Sequence, residues 1–159
     1  MQAMFDVTNP MLTRRSLMAG AGSVALLAMG TAKNAQANGD KVLANIKEHM
    51  GSSAYAESSA IKIDAPIIAE NGAMVPVKIT IDHPMDADNY IQTIAVFVDN
   101  NPTPFAGLYS LTPANGKAFV SSRLKIGKTS QVRAIAKTNT GKLIGASKEV
   151  KVTIGGCGG

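Results

Sequence analysis

Val75-Pro76-Val77-Lys78-Ile79-Thr80-Ile81 decides the fold class. Valine or isoleucine stands at each odd position, and proline, lysine or threonine at each even one. Successive side chains of a strand point to opposite faces, so this period of two makes one apolar and one wet face. The same alternation recurs downstream, where Val132, Ala134 and Ala136 interleave with Arg133, Ile135 and Lys137. Between and around these segments the pattern predicts strands over 62–64, 67–69, 75–82, 91–99, 105–111, 117–126, 131–138 and 142–154. Turn signals separate them: Glu70-Asn71-Gly72, Asp99-Asn100-Asn101-Pro102, Ala114-Asn115-Gly116 and Asn139-Thr140-Gly141. Thr138-Asn139-Thr140-Gly141, set between two alternating runs, reads as a hairpin.

Many short strands with no interleaved helices predict an all-β domain over 61–154, an immunoglobulin-like antiparallel β-sandwich. A small antiparallel barrel is the alternative. With no Trp and one Cys, an antibody-style disulfide core is excluded. Ahead of the strands, Val42, Leu43, Ile46 and Met50 lie at near-helical spacing. They predict a short amphipathic helix over 40–50, with Asp40 as cap and Gly51 as stop, inside a helix-and-linker segment 38–60. No internal repeat or second domain is visible. A small sandwich with strong apolar strands has open edges, and pairing with a second β domain is a natural way to cover them.

The N-terminus has the order of an export signal. Thr13-Arg14-Arg15-Ser16-Leu17-Met18 places twin arginines before an uncharged, Ala-, Leu-, Met- and Gly-rich run that extends to Thr31. Ala35-Gln36-Ala37 follows as a small-x-small cleavage pattern. A membrane span needs roughly 20 apolar residues, more than this run supplies, so cleavage after Ala37 is expected rather than anchoring. Arg14 and Arg15 predict the twin-arginine route, which carries folded proteins to the periplasm. Loss of residues 1–37 removes Arg14, Arg15, Lys33 and Asp6, and the net charge falls from +5 to +3. The remaining lysines are dispersed, and neither a nucleic-acid motif nor an aromatic platform accompanies them.

Cys157, the only cysteine, sits in Gly155-Gly156-Cys157-Gly158-Gly159. An exported chain with one cysteine forms no internal disulfide, so the thiol is an intermolecular link or a free reactive group. Three residues past Ile154, it reaches at most about 10 Å from the last strand residue, at roughly 3.3–3.6 Å per residue. Gly155, Gly156, Gly158 and Gly159 make the segment thin, a flexible swinging arm suited to a narrow pocket. A free thiol titrates near about 8.5, and no His, Lys or Arg neighbours Cys157 in sequence to activate it. The thiol therefore reads as a handle acted on by partners rather than as the nucleophile of an enzyme. The competing reading is an interaction module whose Cys157 forms a structural intermolecular disulfide. A prenylation box requires a cysteine fourth from the end, which Cys157 is not. The terminal Gly158-Gly159 is shared with ubiquitin-like sulfur carriers, but the leader and the all-β pattern oppose that reading.

The remaining residues supply no catalytic set. His49 and His83 are the only histidines, too few for a Ser-His-Asp arrangement, and no phosphate-cradling glycine loop precedes a helix. Asp82-His83-Pro84-Met85-Asp86-Ala87-Asp88 reads as a solvated turn rather than a metal loop. Arg123 and Arg133 occupy polar phases of their strands and are expected to face solvent or a partner. No metal and no resident cofactor is expected.

The chain resembles the SoxY family, the sulfur-carrying subunit of the SoxYZ complex of periplasmic thiosulfate oxidation. The resemblance rests on the twin-arginine leader and on Ala69-Glu70-Asn71-Gly72-Ala73-Met74-Val75-Pro76-Val77. It rests also on Val98-Asp99-Asn100-Asn101-Pro102-Thr103-Pro104, on Ala146-Ser147-Lys148-Glu149-Val150-Lys151-Val152-Thr153-Ile154 and, most specifically, on the Gly-Gly-Cys-Gly-Gly tail. It implies that Cys157 is the covalent sulfur attachment site and that the four glycines form the arm. It also implies a heterodimer with a SoxZ-like β-sandwich that lacks its own signal. The implied enzymes are a c-type cytochrome complex, a dimanganese thiosulfohydrolase and, in some variants, a haem–molybdenum sulfane dehydrogenase. The protein itself is then no enzyme.

Overall fold

The computed structural model describes residues 29–154 of the chain, with side chains from 39 to 153. The twin arginines, the first 28 residues and the 155–159 tail lie outside the described residues. One helix, α1 (Met29–Met50), precedes nine strands: β1 (Ala56–Glu57), β2 (Ile61–Asp64), β3 (Ile68–Asn71), β4 (Val75–Ile81), β5 (Ile91–Val98), β6 (Phe105–Ser110), β7 (Ala118–Leu124), β8 (Ser130–Thr138) and β9 (Leu143–Ile154). The strands form two sheets. The smaller has the order β2-β4-β7, and the larger β1-β9-β8-β5-β6, with β3 also paired to β9. The expected all-β sandwich is therefore what the sequence folds into.

Alternation does the work anticipated for it. Val75, Val77, Ile79 and Ile81 of β4 are all buried, while the residues between them are exposed. They meet Ile94, Val96 and Val98 of β5 and Val132, Ala134 and Ala136 of β8 in the interior between the sheets. Full burial of each Val or Ile contributes about 1.5–3 kcal/mol, so this layer is the main source of stability. β5 departs from alternation because it is covered on both sides. Ala95 and Phe97 point away from the interior and pack, with Ile135 and Leu143, under Val42, Ile46 and Met50 of α1. The uninterrupted Ile94-Ala95-Val96-Phe97-Val98 run is thus a strand buried on two faces.

The helix differs from expectation at its start. It begins at Met29 rather than 40, so Asp40 lies inside it and is not its cap, and the expected cleavage point falls within it. Asn38-Gly39-Asp40 reads locally as a break, yet glycine in a helix costs only about 1 kcal/mol relative to alanine. Its end is as expected: Gly51 has φ +85° and its N–H donates to Lys47 O at 2.9 Å. Val42, Ile46 and Met50 make the buried stripe, but Leu43 is exposed beside it. His49 stacks on Phe105 of β6 with centroids 3.6 Å apart, so it belongs to packing. Replacing the fully buried Ile46 by alanine is expected to cost about 2–5 kcal/mol. Chemical denaturation measures this; a loss below about 1 kcal/mol would mean that α1 is not docked on the sheet.

Strand ends match within one or two residues, and only the two-residue β1 is new. It pairs parallel to β9, as does β3, so the sheet is mixed rather than purely antiparallel. The 138–141 hairpin closes with Gly141 at φ +89° and its N–H donating to Thr138 O. The Ala114-Asn115-Gly116 turn takes the form of a 3-10 turn, Pro113–Asn115, ended by Gly116 at φ +68°.

Arg133 corrects an expectation. Rather than standing open to solvent, it forms a bidentate pair with Asp99, Nη2 to Oδ2 at 2.7 Å and Nε to Oδ1 at 3.3 Å. It also donates to the Tyr55 hydroxyl. The Asp99 hydrogen bonds hold its pKa above the ordinary arginine value, outweighing partial burial. A raised cation pKa gives stability that is lost only as pH rises through that value. This pair therefore adds no pH dependence from its arginine near neutrality. Arg123 is exposed, as expected.

Candidate functional site: the mount of the C-terminal arm

Cys157 and its flanking glycines lie outside the described residues, and the structure supplies the platform that carries them. β9 pairs with β8 as far as Val150, opposite Ser130. Beyond that point it is held by β3, with Lys151 paired to Ile68, Val152 to Ala69 and Ile154 to Asn71. Each residue before Ile154 has its own tie. Lys151 N–H donates to Ile67 O at 2.9 Å, Val152 N–H to Thr129 Oγ1 at 3.0 Å, and the Thr153 hydroxyl to Glu70 O at 3.3 Å. The strand is thus fixed up to the residue before the one from which the arm departs.

Three turns at this end of the sandwich lock together around it. Gly72 lies against the backbone of Ile126, whose N–H donates to Gly72 O at 2.7 Å. A Cβ at position 72 would stand 2.0 Å from Ile126 O and 2.9 Å from Val152 Cγ1, so only glycine fits. The Asn71 carboxamide accepts from Ala73 N–H at 2.8 Å and tightens the same turn. From the β5–β6 loop, Asn101 donates to Lys125 O at 2.8 Å and accepts from Gly127 N–H at 3.0 Å. Asn100 donates its side-chain amide to Thr129 O at 2.8 Å and its backbone N–H to Ser130 Oγ at 2.9 Å. The sequence identified Asn71-Gly72 and Asn100-Asn101 only as turn formers. The staples of Asn100 and Asn101 depend on pairings 24 to 30 residues apart, and Gly72 meets Ile126 from still further along the chain, which local pattern does not carry.

Lys125, Lys128 and Lys151 are exposed on this end with an exposed carboxylate, Glu70, beside them, and the nearby Asp99 is paired with Arg133. A local excess of positive charge favours the approach of anions. His83 is elsewhere: its Nδ1 lies 2.7 Å from Pro84 O, in a turn closed by the Asp86–Asn89 bridge. Among the described residues no three His, Cys, Asp or Glu side chains are grouped to hold a metal ion.

Residues 46–157 match the family model described as sulfur oxidation protein SoxY, a match whose last residue is Cys157. The chain belongs to the SoxY family. Among solved structures it is similar to the sulfur carrier protein SoxY from Chlorobium limicola f. thiosulfatophilum. The two are 36% identical, the match covers 73% of this chain and 99% of that one, and the TM-score is 0.63. A superoxide reductase (neelaredoxin) from Ignicoccus hospitalis is also similar, at 26% identity and a TM-score of 0.53. That match covers 58% of this chain and 80% of the reductase. No curated protein matches the chain. The SoxY stretches at 69–77, 98–104 and 146–154 now have a physical account, because they contain the glycine contact, the asparagine staples and the tied strand that make the mount. The staples themselves act through Thr129, Ser130, Lys125 and Gly127, outside those stretches.

Proposed function

We propose that this SoxY-family protein is a covalent carrier that holds thiosulfate-derived sulfur on Cys157 and presents it to partner enzymes. The observation that carries the reading is mechanical. A strand tied residue by residue through Thr153 leads, three residues beyond Ile154, to the chain's only thiol. A firm base with a short reach delivers cargo to a pocket without freeing the carrier's fold. In the loading step the Cys157 thiolate and thiosulfate join through a new S–S bond. Two electrons leave to a c-type cytochrome complex, and the product is an S-thiosulfonate. In the next step water attacks the terminal sulfone. Sulfate and two protons depart, and a persulfide anion stays on Cys157. A dimanganese thiosulfohydrolase would perform that hydrolysis, and a sulfane dehydrogenase, where present, would oxidise the remaining sulfur. Covalent tethering keeps the cargo at high effective concentration through the sequence of partners.

The protein is no enzyme in this scheme and needs no resident cofactor. The twin-arginine leader with cleavage after Ala37 would place it in the periplasm, exported already folded with a SoxZ-like β-sandwich as heterodimer partner. The outer edges of β6 and β7, unpaired among the described residues, offer such a partner its ladder. Gly156→Val tests the arm separately from the core. Thermal stability is expected to stay within about 0.5 kcal/mol of the parent. Turnover of the loaded carrier should fall at least about tenfold, the loss of roughly 1.4 kcal/mol of transition-state stabilisation. Equal turnover rates would reject entry into a narrow pocket.

A further inference from the structure

Among the described residues six large apolar side chains are exposed, and three of them, Ile67 at 70%, Ile68 at 57% and Met74 at 64%, fall within eight residues beside the arm's mount. Isolated exposed hydrophobics need no explanation, but a group at one functional place does. Ile68 is the ladder partner of Lys151, and Asn71 that of Ile154, with Met74 just past the Gly72 turn. Paired strands lie about 4.8 Å apart and rise about 3.3 Å per residue, so Ile68 lies roughly 11 Å from Ile154.

We infer that Ile67, Ile68 and Met74 form the seat on which the lip of a partner's pocket rests while Cys157 is inside. The inference rests on the carrier reading above. Three residues of chain reach about 10 Å at most, whatever their conformation. A pocket that encloses Cys157 must therefore bring its rim within about that distance of Ile154, and a globular protein's rim extends sideways over the neighbouring surface. On the β3 side that surface carries exposed Glu70 and Asn71 next to the arm, with Ile67 and Ile68 before them and Met74 past the turn; on the other it is the loop bearing Lys128 and Thr129, with Lys151 between. The occupant is an enzyme whose pocket has an apolar lip. Its contact is transient, because the carrier must leave each enzyme for the next. A small apolar seat beside a rigid mount suits a weak, repeatable encounter.

The test uses the full mature chain loaded on Cys157 with tetrathionate, from which the thiolate displaces thiosulfate to leave the S-thiosulfonate. Periplasmic extract of thiosulfate-oxidising cells is the probe, and intact mass follows loss of the sulfonate against carrier concentration. Ile68→Glu combined with Met74→Glu should raise the half-saturating carrier concentration at least about tenfold and leave the maximal rate unchanged, a loss of roughly 1.4 kcal/mol of binding. Leu43→Glu, at an exposed apolar position of α1, should change neither. Should the charged pair disturb folding by thermal melt, Ile68→Ser with Met74→Ser is read instead, with the same expected direction. Unchanged half-saturation in the seat variants, or an equal rise in Leu43→Glu, overturns the seat while the carrier reading stands. Light scattering adds a third arm. If the unmodified protein is a stable complex that the seat variants dissociate, the patch is a permanent subunit interface and the seat is again overturned. If Cys157→Ser takes up the adduct, or the extract does not process the unmodified carrier, the carrier reading itself has failed.

Discussion

On the carrier reading, Cys157→Ser is expected to abolish thiosulfate-dependent reduction of the proposed c-type cytochrome partner, down to the rate without carrier. Oxygen in place of sulfur forms no S–S bond with thiosulfate, so the loading step has no substitute route. The two electrons that step releases then never reach the cytochrome. Thermal stability should remain within about 0.5 kcal/mol of the parent, because the position lies beyond the strand that packs the core. Cytochrome reduction with purified partners is the measurement. Full activity in the serine variant would end the carrier account, since no second cysteine exists to take over.

Gly72→Ala should lose substantial stability for the addition of one methyl group. The added methyl would sit 2.0 Å from Ile126 O and 3.2 Å from its carbonyl carbon, and both are backbone atoms that cannot rotate away. Relief requires the 71–74 turn to lift from the 125–129 loop, which breaks the 2.7 Å bond from Ile126 N–H to Gly72 O. Overpacking of this kind costs about 1–3 kcal/mol and the lost hydrogen bond about 1 more. A fall in melting temperature of roughly 10 °C follows for a domain of this size. Processing of the loaded carrier should slow as well, because the same turn braces β3 against the base of the arm. A melting temperature within about 2 °C of the parent would contradict the close approach.

Most of the sandwich was legible because its faces obey a period of two, and Val75 to Ile81 shows why. One side of that strand is core and the other is water, so burial writes itself into composition. Legibility failed where a second layer intervened. Ile135 occupies the polar phase of β8 because α1 covers it, and Phe97 does so on β5. Arg133 read as an open charge because its partner, Asp99, is 34 residues away and no local rule pairs them. The start of α1 was missed because Asn38-Gly39 is a weak breaker that signals a boundary more strongly than it imposes one. β1 carries only Ala56 and Glu57, both exposed, and so leaves no burial pattern to find.

The site divided differently. Cys157 was conspicuous by being alone, and the glycines round it by their density, so the proposed attachment site could be named from the sequence, though it lies outside the described residues. The mount was not. Nothing local says that Thr129 accepts from Val152, or that Asn101 bridges Lys125 and Gly127. These contacts hold β9 in place as far as Thr153. The cysteine needs no neighbouring base of its own in this arrangement, since the pocket that receives it can supply one. What the fold contributes is position: a strand held up to Thr153 and a reach of about 10 Å beyond Ile154.

Intact mass spectrometry of the protein taken from cells oxidising thiosulfate tests the central claim most directly. The account predicts a chain beginning at Asn38 that carries sulfur adducts on its C-terminal peptide, removable by a thiol reductant. A constant disulfide-linked dimer with no adduct on Cys157 would contradict it.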